Sequence, residues 1–450
     1  MHNKLLKTAV LCGLVAMNSG LAHAKLSSAE VSQLGQDLTP TGAEKAANAN
    51  GSIPAWTGGL TQAPAGYSAG GNYVDPYADE KPLYTVSAAN VAQYSDVLTD
   101  GHKAMIKQYP NYQMHVYPSH RTLALPAKEY AQIAKEAVNV ELLPGGVGLV
   151  NYEKSSVPFP IPKNGIEAIW NHIVRYRAGG FKRSYSQLIV QSSGSFSAVQ
   201  TEAKQVMASA LGNPEPNRLF YYHDYVSGPE SLAGLQTLVH EPLDQVKEAR
   251  LAWQYNPGQR RVLRAPEVAY DNPELSADGL RTTDSVDMYN GAPDKYDWKL
   301  VGKKEMLISY NNYKLNDRNL KHKDIVGKEY LNPDLVRYEL HRVWVVEATL
   351  KAGARHIYAK RRFYIDEDSW NIVQADQYDG RGELWRVMEA HTLQRYDVNV
   401  NFPSSDVSYD LQARRYLVNG VENEEKAGMQ FGWKGTLREF SPSALRRSGR

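Results

Sequence analysis

The sequence predicts a mainly β protein built on one large antiparallel sheet, as a sandwich or as an open or closed barrel. Three observations carry this. From about Ser184 onward the apolar residues recur with a period of two, the repeat of a strand whose successive side chains face opposite sides. About eleven such runs follow one another, several with hairpin-sized gaps. No similarity at a period of roughly 20–50 residues points to a propeller or a solenoid.

The elements follow in order. Met1 to Lys7 is a basic start, Thr8 to Met17 an apolar run, and Ala22-His23-Ala24 an A-x-A cleavage pattern. Residues 1–24 are therefore expected to be a signal peptide cut after Ala24. The apolar run is shorter than the ~20 residues a membrane span needs. Cys12, the only cysteine, lies in this segment, and Leu11 before it is too large for a lipidation signal. The mature chain then has no thiol, which excludes disulfides and cysteine chemistry and suits an oxidising compartment. The expectation is an exported, soluble protein without a lipid anchor, periplasmic in a cell with two membranes.

Residues 25–82 read as an extended arm. LTPTGAEKAANANGSIPAWTGGLTQAPAGY is dense in turn formers, yet Ile53, Trp56, Leu60, Tyr67, Tyr73 and Tyr77 are too many large apolar groups for a disordered leader. Residues 87–109 and 126–142 have helical spacing; Tyr130, Ile133, Ala134 and Ala137 recur at three and four residues. PFPIPKNG (158–165) is a stiff corner before a short helix at 166–177.

Strands are expected at SYSQLIVQ, RLFYYHDY, LQTLVHE, ARLAWQYN, RRVLRAP, YDWKLVGKKEMLISY, YELHRVWVVEATLK, IYAKRRFYID, NIVQADQYD, ELWRVMEAHTLQRYDV and VSYDLQARRYLV. Residues 357–396 give the clearest meander, with turns at Asp366-Glu367-Asp368-Ser369 and Asp379-Gly380-Arg381-Gly382, where Gly admits positive φ. The basic end SALRRSGR is expected to fray.

Charge narrows the function. Lys and Arg total 51 and Asp and Glu 49; removing Lys4 and Lys7 with the signal segment leaves a neutral chain. Neutrality argues against general nucleic-acid binding and against a polybasic membrane surface. No P-loop, no dinucleotide fingerprint and no Gly-x-Ser-x-Gly elbow is present. His240-Glu241 is followed by Pro242, which spoils a zincin helix. Asp366-x-Asp368 and Asp376-x-x-Asp379-Gly380 hint at calcium but lack the ligand ladder of a calcium loop, and tight turns favour the same residues. No catalytic set, metal site or cofactor is expected.

The excess is aromatic. Tyr counts 29, Trp 8 and Phe 8, and several strands are apolar on both faces, as at Leu219–Tyr222 and Val343–Val346. Both faces then need cover. Either both are core, or one lines a cavity for an apolar guest.

RHIYAKRRFYIDEDSWNIVQADQYDGRGELWRVMEA, with YELHRVWVVEATLK before it, resembles the signature of the domain-of-unknown-function 1329 family. LTPTGAEKAANANGSIPAWTGGL and FPIPKNGIEAIWNHIVRYRAG resemble its amino-terminal and middle signatures. The family is similar in fold to the periplasmic lipoprotein carriers LolA and LolB. The resemblance implies a curved, incomplete antiparallel barrel over residues 184–450, with helices plugging its mouth. Residues 83–183 would be that lid. It also implies a carrier or chaperone of a lipid or other hydrophobic molecule, without covalent chemistry. Its partners would be an inner-membrane exporter of the resistance-nodulation-division type and an outer-membrane protein.

In that reading the strand aromatics Trp344, Phe363, Trp385, Tyr221 and Trp253 would touch cargo. Arg361 would meet an anionic head group, or else form a cross-strand ion pair with the acidic turn. Two other readings stand beside it. One is an envelope scaffold or adaptor docking a transporter or outer-membrane partner. The other is a periplasmic lipid or ester hydrolase using histidines and carboxylates in the same cavity.

Overall fold

The computed structural model describes residues 25–266, 270–274 and 276–448. The signal segment, with Cys12 and the cut after Ala24, lies outside the described residues. Helices are α1 (Ser28–Ser32), α2 (Asp100–Gln108), α3 (Ala127–Glu136), α4 (Gly165–Val174), α5 (His322–Ile325) and α6 (Pro442–Ser448). Strands before the main sheet's long runs are β1 (Tyr84–Val86), β2 (Met114–Val116), β3 (Glu141–Leu142) and β4 (Leu149–Val150). A first meander comprises β5 (Gly180–Val190), β6 (Phe196–Met207), β7 (Phe220–Gly228), β8 (Gln236–Glu241), β9 (Leu251–Asn256) and β10 (Arg261–Arg264). A second comprises β11 (Tyr296–Ser309), β12 (Tyr338–Leu350), β13 (Lys360–Asp366), β14 (Ile372–Tyr378), β15 (Leu384–Arg395), β16 (Val400–Asp410) and β17 (Arg415–Val421), followed by the short β18 (Gln430–Phe431).

The last long strand joins the first: β17 pairs antiparallel with β5, so the two meanders form one sheet of 16 strands. Among the described residues β10 pairs only with β9, and the sheet stays open. The mainly β class and the large antiparallel sheet are as expected; the strand count is higher than eleven. Five of the additional strands are the short β1–β4 and β18; the other two lie in long runs. FSAVQTEAKQVM (β6) is rich in helix formers and becomes a strand because both its edges are paired, to β5 and β7. VSYDLQARRYLV is two strands, because the chain turns at 411–414 with Arg414 at φ 52°, a position no glycine announces.

The sheet's two faces carry different loads. On one, α4 is the plug. Asn164 caps it, its Oδ1 accepting from Glu167 N at 3.0 Å, and Asn171 locks the preceding corner through Phe159 N and O at 2.9 and 2.8 Å. Trp170, Ile169 and Ile173 pack against Val346, Phe363, Ile365, Ala375 and Met388 of β12–β15. On the opposite face α2, β1, β2 and the 315–336 loop pack against Leu188, Val387, Val407, Tyr409 and Val418. Met388 and Val387 are neighbours on one strand, yet serve different cores, as the period of two demands. Both faces are therefore core across β12–β17.

The arm lies on this same sheet. Trp370 Nε1 donates to Thr41 O at 3.0 Å, Trp56 Nε1 to Leu123 O at 2.9 Å, and the hydroxyls of Tyr67 and Tyr73 bind Asp397. A Cβ on Gly42, at φ +92°, would fall 1.9 Å from Pro160 O; only glycine lets the arm pass under the proline corner. The carboxy-terminal segment does not fray through residue 448: α6 places Leu445, with Phe440, against Val206, Tyr221, Leu238 and Tyr255.

Candidate functional site

Within the first meander the α4 face of the sheet is not filled. A cavity of about 230 Å3 lies there. Its floor is β5–β9 with β16 and β17, its cover comes from residues 272–274 and 276–290, and Ile173 of α4 and Arg177 just beyond it close one side. Strand parity sets the lining. On β7 the even positions Phe220, Tyr222, Asp224 and Val226 face in, while Tyr221 faces α6. Leu232, Leu235 and Val239 extend the apolar wall. A surface hollow of about 770 Å3 beside α2 is lined by Lys107, Arg381, Glu383 and Arg414, and offers little apolar wall.

Most charges around the cavity are paired. Buried Arg281 bridges Glu274 Oε2 at 2.6 Å and Asp406 Oδ1 at 2.9 Å, so cover and floor are clamped by one guanidinium. Asn419 Nδ2 donates to the other Asp406 oxygen at 2.7 Å. Asp287, in the left-handed region at φ 56°, accepts from Arg175 Nη1 at 3.0 Å and Arg177 Nη2 at 2.7 Å. Burial opposes ionisation of Asp287, but Arg175 and then Arg177 override it and hold the carboxyl below the usual range. Arg177 is itself lowered to about 10, by burial and then by Arg175. Arg250 is tied to Glu241 at 2.5 Å and to Asn290 O at 2.7 Å.

Two groups stand apart. Asp224 accepts from Thr237 N at 2.9 Å and forms no ion pair among the described residues; burial pushes its carboxyl up to about 7. Arg183, half-buried, forms no ion pair among the described residues and lies over the Tyr185 ring at 4.1 Å.

None of the six residues singled out from the sequence lines this cavity. Phe363 is fully buried under Trp298 and Tyr289; Trp344 stacks on Trp370. Trp385 donates to Asp410 Oδ2 at 3.0 Å and edges Tyr358. Tyr221 and Trp253 flank His240 on the α6 side. Their sequence neighbours Tyr222 and Gln254 line the cavity instead, a one-residue difference in parity. Arg361 is fully buried and pairs with Asp284 Oδ2 at 2.6 Å; its partner comes from the cover segment and not from the acidic turn.

That acidic turn serves the arm. Asp368 receives both Arg121 nitrogens, at 2.9 and 2.6 Å, and Glu367 receives Arg342 and Lys303. His341, Asp366 and Asp368 bring ligand atoms within 4.8 Å of one another, but His341 Nε2 is engaged by Glu339 at 3.0 Å and Asp368 by Arg121. Among the described residues no histidine lines the cavity; Ser309 Oγ and His391 Nδ1 meet at 2.6 Å in a fully buried place. Among the described residues no helix is long and apolar enough to cross a membrane.

An uncharacterized protein of Pseudomonas aeruginosa is 50% identical over 450 residues, 99% of this chain and 98% of that one. The crystal structure of a DUF1329 family protein from Desulfovibrio piger has 13% identity and a TM-score of 0.41, over 59% of this chain and 91% of that chain. That of a LolA superfamily protein from Nitrosomonas europaea has 10% identity and a TM-score of 0.39, over 62% and 98%. The family described as protein of unknown function (DUF1329) matches residues 85–446, nearly the whole of the described fold. The chain belongs to the DUF1329 family.

Proposed function

We propose that this protein is a periplasmic carrier of a hydrophobic molecule and works by burial without covalent chemistry. One observation carries the reading: an unfilled space on the sheet face that α4 packs elsewhere, walled by Phe220, Tyr222, Val226, Leu232, Leu235 and Val239. Apolar area removed from water is worth roughly 25 cal/mol per Å2, so such a wall retains an apolar guest without specific bonds. The volume limits the guest. About 230 Å3 exceeds the ~150 Å3 cavity that takes benzene and falls below the roughly 300–1,000 Å3 of drug-sized pockets. A single acyl chain or a slender ring system fits that range. The export signal read from residues 1–24 supplies the compartment, and a resistance-nodulation-division exporter with an outer-membrane protein are the proposed partners.

Native mass spectrometry of the protein isolated from its own cells, followed by solvent extraction, tests this. A reproducible bound mass in the lipid range is expected, and it should fall at least several-fold in Leu235→Trp, which fills the space. A protein that stays empty after incubation with total envelope lipid overturns the carrier reading.

A further inference from the structure

We propose that the guest is a carboxylate-headed single chain and that Arg183, Thr201 and Ser405 hold its head group. The proposal rests on the carrier reading above and names the ligand class. Three of the residues lining the cavity have buried polar atoms that no protein group satisfies: Arg183 Nε, Thr201 Oγ1 and Ser405 Oγ. Thr201 is 4% exposed and Ser405 6%. Buried polar groups in folded proteins are nearly always bonded, so three orphans around one space mark where a polar ligand atom belongs.

All three line the cavity, and Arg183 stands between the other two. Thr201 sits directly across from Tyr185 in the β5–β6 register, and the Arg183 guanidinium covers that Tyr185 ring. A Cβ built on Gly420 would lie 3.1 Å from Arg183 Nη1, 3.2 Å from Ser404 O and 3.5 Å from Ser405 Cα, so guanidinium and β16 converge at this glycine. The other arginines at the cavity, Arg177, Arg250 and Arg281, are each taken by a carboxylate. Arg183 is the cation left over, and the site is accordingly set for an anion.

A carboxylate matches the set. A planar guanidinium grips its two oxygens in parallel, and two hydroxyls donate to the lone pairs that remain. The apolar wall from Tyr222 to Leu235 then takes the chain. The cavity volume admits one chain, which argues against a two-chain phospholipid.

Calorimetric titration of the full mature protein with dodecanoate, dodecanol and dodecyl phosphate tests the assignment. Dodecanoate is expected to bind at least about ten-fold tighter than dodecanol. Arg183→Gln should abolish that advantage, and Arg183→Lys should restore part of it. Equal binding of dodecanoate and dodecanol, both lost in Leu235→Trp, overturns the head-group assignment while the carrier reading stands. Tighter binding of dodecyl phosphate than of dodecanoate overturns the carboxylate class. Binding of none of the three overturns the proposal, and the mass carried from the cell then decides the carrier reading separately.

Discussion

Asp224 and His172 show how a single buried group turns pH into stability. Asp224 is pushed up to about 7 from an ordinary 3.8, so between those values the folded chain holds a proton that the unfolded chain releases. Its contribution is therefore lost as pH rises through that window. Asp224→Asn should gain stability over the natural protein from about pH 4 upward, levelling above about pH 7, by up to about 4 kcal/mol. His172 runs the other way. Burial, then Arg175, lowers it to about 3, and its ring accepts from Ile372 N at 3.0 Å while bonding Asp287 O at 2.8 Å. A neutral ring is required, so its contribution is lost as pH falls from 6.5 towards 3. His172→Gln should flatten the acid side of a urea-unfolding series. A variant that leaves that side unchanged would remove His172 as its cause.

At the scale of an element, α4 decides how the α4 face divides between core and cavity. Its body fills the second meander and its end meets the space in the first. Trp170 is fully buried and donates to Gly146 O at 2.8 Å; Trp170→Ala should cost roughly 3–5 kcal/mol by loss of packing. The cover segment depends on Asp287, which neutralises Arg175 and Arg177 together. Asp287→Ala strands two buried guanidinium groups and should cost on the order of 3–5 kcal/mol. Hydrogen exchange of residues 283–290 should speed up with it. Unchanged exchange there would mean the cover is held by Arg281 and Arg361 instead.

Across the whole molecule, distant segments are fastened to the sheet through a few buried ions. Arg121 links the arm carbonyls of Lys45 and Pro54, at 3.3 and 3.4 Å, to Asp368 at the β13–β14 turn. Arg121→Ala leaves Asp368 unpaired in a buried place. It should cost about 3–5 kcal/mol and release the arm first, read as faster exchange at 39–56 in a protein whose sheet protection is kept. A single uniform loss of protection would show that arm and sheet are one cooperative unit. Native-like exchange at 39–56 would show that Trp370 and the tyrosine cluster at Asp397 suffice to hold the arm.

Much of this was legible in the chain. Alternation at a period of two, the DEDS and DGRG turns and the proline corner follow from local backbone preferences, and they specified an antiparallel sheet with an arm and a few helices. The signature stretches at 159–179 and 338–390 specified the kinship, and both fall within the matched residues 85–446. What local preferences do not contain is which of two apolar faces is covered. Leu219 to Tyr222 is apolar on both sides, so the choice of Tyr222 over Tyr221 for the cavity rests with α6, which arrives from more than 200 positions away and covers the odd face. Likewise nothing local marks 272–274 and 276–290 as a cover or pairs Arg361 with Asp284; those contacts join segments far apart in sequence. Most strands are a property of neighbouring residues and were written in the sequence; β6, rich in helix formers, is a strand through its pairing with β5 and β7. The cavity is the space left where no distant segment packs, and only the tertiary structure decided where that is.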